Sequence, residues 1–596
     1  MVENNNALQE FLQGTGCASQ DYFGVHEVED GVVFRTYAPR ASQVMLTGDF
    51  NGWRDDIFLN KIDDSGVWEV KLPFGKVNYG DRYKYRIYGF GQLHYKSDPF
   101  SRSVSQSPDN SSVVCERGKY VWKDSGWLNY RKSYQKNIST KPINIYELHL
   151  GSWKKRGKHY LNYRDYAREL APYVKQMGYT HICLLSINES SNNDTAGYMP
   201  SAFFAPTSRY GSPDDLKAFV DKLHEAGLGV IFDVPISSFS REQYGLFEFD
   251  GAPLYECECG GESCHFDFSK NITKSFITSS VLYWINEYHA DAIRLSDVDG
   301  LLHANDDRSE LSRSFLQKLL KLVKKSNPDV LLLADNVNKA LGFDIVFDSA
   351  FAEDMIKYAS IDFADRAKNY SLLTNTLGCN GETVSLPCEV QRGALDTLIE
   401  ASEGDYWQKF AGARALLGLM ITMRGKKLSF MGNEIAQFRK WDAERETEWF
   451  LLDFESHEKF QRYVAELNNF YLAHSALWQK DASPESFCFV DKDGFKQNVI
   501  TFRRSSKDEE LLVVANLTPI AYEHYRIGAQ GDGEFYELFN SDNLNFYGSG
   551  VINTLPIATD NIEYHGYKNS FCMRVPPMAI SILGFKPNKS KKYPAI

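Results

Sequence analysis

The chain has 596 residues, of which 43% are hydrophobic and 24% charged, and its formal net charge is −12. This length exceeds the usual size of one domain, so roughly two to four domains are expected. An acidic chain without a long basic stretch argues against nucleic acid or an anionic membrane as the main partner. The N-terminus lacks a charged start followed by an apolar run, and no stretch is long enough to span a bilayer. The expected compartment is therefore the cytoplasm.

The first domain follows a short N-terminal extension, which we assign to residues 1–24. From about residue 25 to 120, runs such as "GVVFRTYAP" and "QVMLTGDFNGW" alternate between apolar and polar residues and are separated by turn signals. Short strands at this spacing are typical of an antiparallel β-sandwich. Trp53 is a candidate for stacking on a sugar, although packing in a turn or core is the commoner role for such a ring.

Residues 121–475 show a different rhythm, in which apolar strand-like runs alternate with amphipathic helical stretches. Eight strand–helix units in this order predict a (β/α)8 barrel. The site of such a barrel lies at the carboxyl ends of its strands. Those ends carry Asp233, Arg294, Ser296, Asp335, Cys388, Glu389 and Glu434.

Alternation with period two returns in residues 476–596, for example in "ELLVVANLTP" and "MAISILGF". These runs predict a C-terminal all-β domain that ends in a basic tail. The predicted fold class is α/β, a TIM barrel with a β-sandwich before and after it.

The cysteines are too few for a disulfide framework, since the chain has 10 in all. One cluster brings Cys257, Cys259, Cys264 and His265 together, but it lacks the paired spacing of common zinc sites. We expect free thiols in a loop and no metal or other cofactor.

Several stretches resemble the bacterial-type glycogen branching enzymes of the α-amylase superfamily, glycoside hydrolase family 13. The matching stretches include "YELHLGSW", "GYMPSAFFAPTSRYGSPDDLKAF" and "GKKLSFMGNEIAQFRKWD". The resemblance implies the three-domain architecture and a retaining transfer of α-1,4-glucan to a 6-hydroxyl. In that chemistry one carboxylate attacks the anomeric carbon and a second carboxyl group protonates the leaving oxygen.

The sequence departs from the family pattern at the three catalytic positions. The nucleophile position, two residues after Arg294, holds Ser296. The acid position holds Asp335 in place of glutamate, and the third-acid position holds Cys388. A slip by one residue to Asp297 would turn that side chain to the opposite face of the strand. Asp297 is therefore expected to cap the following loop or to point towards the helices.

Sugar-binding positions are only partly kept. The resemblance assigns substrate contacts to Tyr198, Asp233 and Arg294, all of which are present. Two histidine positions hold Ser238 and Pro387, and a tryptophan position holds Ala196, as the sequence shows. An alternative for Asp233 and Arg294 is an ion pair that only supports the barrel rim. Glu434 is expected to make hydrogen bonds at the barrel end.

Three hypotheses follow from this pattern. The favoured one is a branching-enzyme-like protein that is catalytically inactive and binds α-glucan or supports an active glycogen enzyme. The second is an active branching enzyme whose acids are rearranged, using Asp297 or Glu389. The third is a structural partner subunit without affinity for sugar.

Overall fold

The computed structural model describes residues 4–116, 118–135, 137–190, 196–302, 308–369, 371–373, 383–386, 396–491 and 497–588. Within these residues, two compact units are formed by residues 1–135, 149–172 and 182–346 and by residues 136–148, 173–181 and 347–596. Among the described residues, no helix combines the length and the apolar character that crossing a bilayer requires.

The first unit begins with a helix and two antiparallel sheets. Helix α1 is Asn4–Gln13, and the strands are β1 Gly24–Val28, β2 Gly31–Tyr37, β3 Gln43–Gly48, β4 Ile57–Phe58, β5 Asn60–Lys61, β6 Val67–Leu72, β7 Arg82–Gly89, β8 Gln92–Lys96 and β9 Ser112–Val113. One sheet has the order β1-β2-β6-β5 and the other the order β4-β3-β7-β8, with β9 beside β7. Because alternate residues are buried along β7, the period-two pattern of the sequence corresponds to one packed face.

Strands and helices then alternate along the chain. The elements up to the middle of this region are α2 Ser125–Gln135, β10 Asn144–Leu148, α3 Leu150–Trp153, β11 Lys155–Arg156, β12 His159–Tyr160, α4 Tyr163–Gln176, β13 His181–Leu184, α5 Pro213–Glu225, β14 Gly229–Pro235, β15 Ser238–Ser240, β16 Glu256–Gly260, β17 Ser263–Phe266 and α6 Asn271–Glu287. The start of helix α5 carries the residues that favour helix initiation. The side chain of Ser212, the N-cap residue, accepts a hydrogen bond from the amide of Asp215, and Pro213 occupies the first turn.

The region continues with β18 Ala292–Ser296, α7 Val298–Leu302, α8 Arg308–Ser326, β19 Leu331–Asp335, β20 Ile345–Asp348, α9 Ser349–Ala359, β21 Thr383–Leu386, α10 Leu398–Ala401, α11 Tyr406–Thr422 and β22 Lys427–Phe430. A closed barrel is formed in the order β10-β13-β14-β18-β19-β20-β21-β22. The pairs β14–β18 and β18–β19 are parallel, as are β10–β22 and β21–β22. The predicted TIM barrel, flanked by β domains, is confirmed.

The second unit ends in an all-β region. After helix α12, Glu455–Ala473, the strands are β23 Phe487–Phe489, β24 Val499–Ser505, β25 Glu510–Asn516, β26 Tyr522–Ala529, β27 Gly533–Asn540, β28 Ile557–Ala558, β29 Asn569–Val575 and β30 Ala579–Pro587. Six of them form a sheet in the order β23-β24-β25-β30-β27-β28, and β26 pairs with β29. Their inward side chains, among them Val514, Ile527 and Phe571, form one hydrophobic core.

Candidate functional site

A buried arginine links the carboxyl ends of three neighbouring barrel strands. Arg294 lies in β18, directly opposite Asp233 of β14 in the strand register. Its Nη1 lies 3.4 Å from Oδ2 of Asp233, while Nη2 lies 2.6 Å and Nε 2.7 Å from Oδ2 of Asp335. Tyr198 donates its hydroxyl to Oδ2 of Asp233 over 2.6 Å. The structure thus joins Tyr198, Asp233, Arg294 and Asp335 in one network.

Ser296 lies on the same face of β18 as Arg294, because side chains alternate along a strand. Its side chain is buried, and within the described part of the chain no hydrogen-bond partner reaches its Oγ. A serine becomes a nucleophile when an adjacent base accepts its proton. The described surroundings of Ser296 supply no such base by hydrogen bonding.

Asp297 follows the strand in the left-handed region, with φ of 55°. Its Oδ2 accepts a hydrogen bond from Oγ of Ser237 over 2.6 Å, and its carbonyl accepts one from the amide of Leu301. A Cβ built on Gly300 would lie only 2.5 Å from its Oδ1, so the carboxylate rests against the first turn of α7. Asp297 is exposed and occupies the loop-capping role that the one-residue slip predicts.

Three residues of the third-acid segment, Pro387, Cys388 and Glu389, lie outside the described residues. The roles assigned to Cys388 and Glu389 therefore stay predictions, as do those of the other catalytic and sugar-binding positions.

Glu434 is buried at the end of β22. Tyr146 and Tyr173 donate hydroxyls to its Oε1 over 2.6 and 2.9 Å, and the amide of Gly432 donates to its Oε2. Burial raises the pKa of Glu434, and these hydrogen bonds only partly oppose the shift. Glu434 thus makes the barrel-end hydrogen bonds expected of it.

A second buried acid near the barrel end was not singled out in the sequence. Glu189 is almost fully buried and pairs with Arg209 over 2.7 Å, and it also accepts from the amide and hydroxyl of Ser208. Beside this pair lies a cavity of about 20 Å³, lined by residues that include Ala196 and Gly197. This volume holds about one water molecule and not a sugar ring. No motif in the sequence pointed to this ion pair.

The opposite end of β18 carries a second charged network that the sequence analysis missed. His224 lies between two acids, with Nδ1 2.9 Å from Asp124 and Nε2 2.9 Å from Asp291. Burial lowers the pKa of His224, but the carboxylates of Asp291 and Asp124 outweigh it and the pKa is raised. Burial likewise opposes ionisation of Asp291, yet His224 and Arg131 lower the pKa of Asp291 to about 2. We interpret this network as a set of ion pairs that stabilises the barrel at the end opposite the candidate site.

The cysteine prediction needs a correction. Cys259 and Cys264 form a disulfide, because β16 and β17 pair antiparallel and bring these two residues directly opposite each other. Cys257 is a free, exposed thiol. Among the described residues, no group of three or more His, Cys, Asp or Glu side chains is arranged to hold a metal ion. The expectation of free thiols is wrong for Cys259 and Cys264.

Three family models match successive parts of the chain. Residues 22–101 match carbohydrate-binding module 48 (isoamylase N-terminal domain), residues 168–248 the α-amylase catalytic domain, and residues 489–586 the α-amylase C-terminal all-β domain. Proteins that are similar over nearly the whole chain are named 1,4-α-glucan branching enzyme GlgB. The one from Oceanobacillus iheyensis is 35% identical over 96% of each chain, and the one from Halothermothrix orenii is 35% identical over 97% of this chain and 98% of its own. The protein from Francisella tularensis subsp. holarctica is 33% identical over 96% of each chain.

Solved structures with the same fold are more distant in sequence. A type I pullulanase from Bacillus subtilis, complexed with maltose, has a TM-score of 0.72 at 17% identity, covering 95% of this chain and 85% of that one. A putative α-amylase from Salmonella typhimurium has a TM-score of 0.70 at 17% identity, covering 95% of this chain and all of its own. At this identity the likeness concerns the fold alone.

Proposed function

Since the chain belongs to the bacterial 1,4-α-glucan branching enzyme family, we propose that it binds α-1,4-glucan without transferring it. In this proposal Ser296, Asp335 and Cys388 occupy the three catalytic positions of the family. Tyr198, Asp233 and Arg294 then serve as glucan-binding residues at the strand ends.

The observation that carries this proposal is the pairing of Asp335 with Arg294. Two nitrogens of the guanidinium lie within 2.7 Å of one carboxylate oxygen of Asp335. A guanidinium at this distance engages the carboxylate in a charge-assisted ion pair. A general acid, in contrast, must hold a proton that it can give to the leaving oxygen. Asp335 is therefore an ion-pair partner rather than a proton donor.

The nucleophile position supports the same interpretation. Ser296 supplies a hydroxyl where a retaining enzyme needs a carboxylate. The next carboxylate along the chain, Asp297, accepts from Ser237 and rests against α7. To attack a sugar, Asp297 would have to leave these contacts and the strand end would have to change its conformation.

Affinity for glucan is supported by two features. Residues 22–101 match a carbohydrate-binding module, and Tyr198 places a half-buried ring beside the polar network of Asp233 and Arg294. We also propose that the domains span residues 25–120, 121–475 and 476–596 after the extension 1–24, and that the protein acts in the cytoplasm beside an active glycogen enzyme.

The test separates binding from transfer. Electrophoresis in a native gel with glycogen should retard the full chain, and Tyr198→Ala should reduce the retardation severalfold. Incubation with amylose should leave the iodine colour unchanged, whereas the Oceanobacillus iheyensis relative serves as the positive control. Unretarded migration would indicate a structural subunit without sugar affinity and would overturn the proposal.

An active branching enzyme is the second candidate, because relatives at 35% identity carry that name. It would need Asp297 or Glu389 as the attacking carboxylate. Loss of the amylose colour, abolished by Asp297→Asn or Glu389→Gln, would favour this candidate.

A further inference from the structure

The hairpin of β16 and β17 carries a disulfide and a free thiol close together in the chain. Cys259 and Cys264 lie opposite each other on the two strands and form the bond, while Cys257 is an exposed, unbonded thiol. Cys259 is half-buried and lies near the end of the hairpin, where the chain turns through Gly261 and Glu262. A disulfide that is partly exposed is open to attack by a thiol, whereas a buried one is protected. Cys259 therefore makes this bond accessible to reductants.

The bond contributes little to holding the hairpin together. It joins residues with a sequence separation of only 5. A disulfide stabilises a fold mainly by restricting the unfolded chain, and this effect is smallest for short loops. The two strands are already paired from Glu256 and Phe266 to Gly260 and Ser263. In the cytoplasm, the compartment proposed above, disulfides are rare, and those that occur are usually transient or redox-sensing. Redox chemistry explains this bond better than a structural role does.

The central strand of this three-stranded sheet links the disulfide to β15. The strand order is β15-β17-β16, and Cys264 of β17 lies opposite Cys259 on one side and opposite Phe239 of β15 on the other. Cys264 is fully buried, and the rings of Phe239 and Phe266 are buried with their centroids 4.8 Å apart. Protein interiors are closely packed, so a buried sulfur cannot move without displacing its neighbours. A change at Sγ of Cys264 is thus passed on to β15.

The residue before β15 carries this link on to the end of β18. The carbonyl of Ser237 accepts a hydrogen bond from the amide of Phe266 in β17 over 3.1 Å. The hydroxyl of Ser237 donates to Oδ2 of Asp297 over 2.6 Å. Ser237 therefore makes one hydrogen bond to the disulfide-bearing hairpin and one to the turn that follows the nucleophile position.

We propose that Cys259 and Cys264 form a thiol–disulfide exchange site for small thiols, and that its redox state controls how firmly the turn at Asp297 is held. In the first step a thiolate attacks Sγ of Cys259 and the bond to Cys264 breaks. Sγ of Cys264 takes the electron pair and then the proton that the attacking thiol gave up. A second thiol molecule then displaces Cys259 from the mixed disulfide, so that two small thiols become one disulfide and both cysteines end as thiols. This chemistry needs no glucan and goes beyond the proposed function.

The experiment uses the full chain with glutathione as the probe. Hydrogen–deuterium exchange is measured in an excess of oxidised glutathione and then in an excess of reduced glutathione, and alkylation with mass spectrometry shows whether the bond is open. Reduced glutathione should open the bond. Exchange should then become severalfold faster in the peptides that contain β15, β16 and β17 and in the peptide that contains Asp297. Return to oxidised glutathione should restore the slow exchange.

Cys257→Ser is the matched control, because its thiol lies in the same hairpin but outside the bond. This variant should respond to glutathione as the parent does. Cys259→Ser combined with Cys257→Ser leaves Cys264 without a bonding partner in the hairpin and should show the fast exchange in both conditions. A bond that stays closed in reduced glutathione would overturn the inference. Opening of the bond with unchanged exchange in β15 and at Asp297, or loss of the response in Cys257→Ser alone, would also overturn it.

Discussion

Replacement of Asp335 distinguishes an ion-pair partner from a catalytic acid. Arg294 is fully buried, and Asp335→Ala removes the carboxylate that lies 2.6 Å from its guanidinium. Removing one partner of a buried ion pair typically costs about 3–5 kcal/mol. Asp335 is 24% exposed and Arg294 would keep Asp233 at 3.4 Å, so we expect a smaller loss of about 2 kcal/mol. Removal of a catalytic acid that a strained active site holds in place would instead stabilise the fold.

Hydrogen–deuterium exchange measures this loss locally, which avoids treating a chain of several domains as a two-state folder. A loss of about 2 kcal/mol in opening free energy corresponds to roughly 30-fold faster exchange in the peptides that contain β18 and β19. Asp30→Ala is the control, because Asp30 pairs with Lys71 on the exposed surface and should leave exchange unchanged. Unchanged or slower exchange in Asp335→Ala would refute the reasoning.

Two further predictions concern the network of Asp124, His224 and Asp291 and the disulfide between β16 and β17. The pKa of His224 is raised in the folded state, so its contribution to stability is complete below pH ~6.5 and is lost as the pH rises through the pKa of the folded state. The pKa of Asp291 is lowered to about 2, so its contribution is complete above pH ~4. In thermal unfolding, the loss of stability in His224→Gln relative to the parent should therefore be greatest between about pH 4 and 6.5. His159 is exposed, so His159→Gln should lose no stability. A loss in His224→Gln that grows above pH 7 would contradict this prediction. In a tryptic digest made without reductant, the peptide that contains Cys257, Cys259 and Cys264 should carry one alkyl label, on Cys257, and should gain two more after reduction. Three labels before reduction would contradict the disulfide.

The barrel could be predicted because its strands are short apolar runs set between amphipathic helices. The run "DAIRLSDV" becomes β18, Ala292–Ser296, and the following turn begins at Asp297. Because side chains alternate along a strand, the sequence also predicts that Ser296 and Asp297 lie on opposite faces. Side-chain direction within one strand is thus a local property that the sequence carries.

Contacts between strands were harder to predict. The disulfide depends on the register of β16 and β17, which places Cys259 opposite Cys264 and leaves Cys257 outside the bond. The network of Asp124, His224 and Asp291 joins residues that are 67 or more positions apart. No spacing rule in one sequence reveals such pairs, since only the fold brings them together.

The most direct test of the central claim is the reaction with an activated donor, α-maltosyl fluoride. Fluoride leaves without protonation, so this substrate makes the acid dispensable and reports on the attacking carboxylate alone. The account predicts that the full chain, with maltose as acceptor, releases fluoride no faster than buffer, while the Oceanobacillus iheyensis relative releases it rapidly. Release well above the buffer rate, lost on Asp297→Asn or Glu389→Gln, would contradict the account.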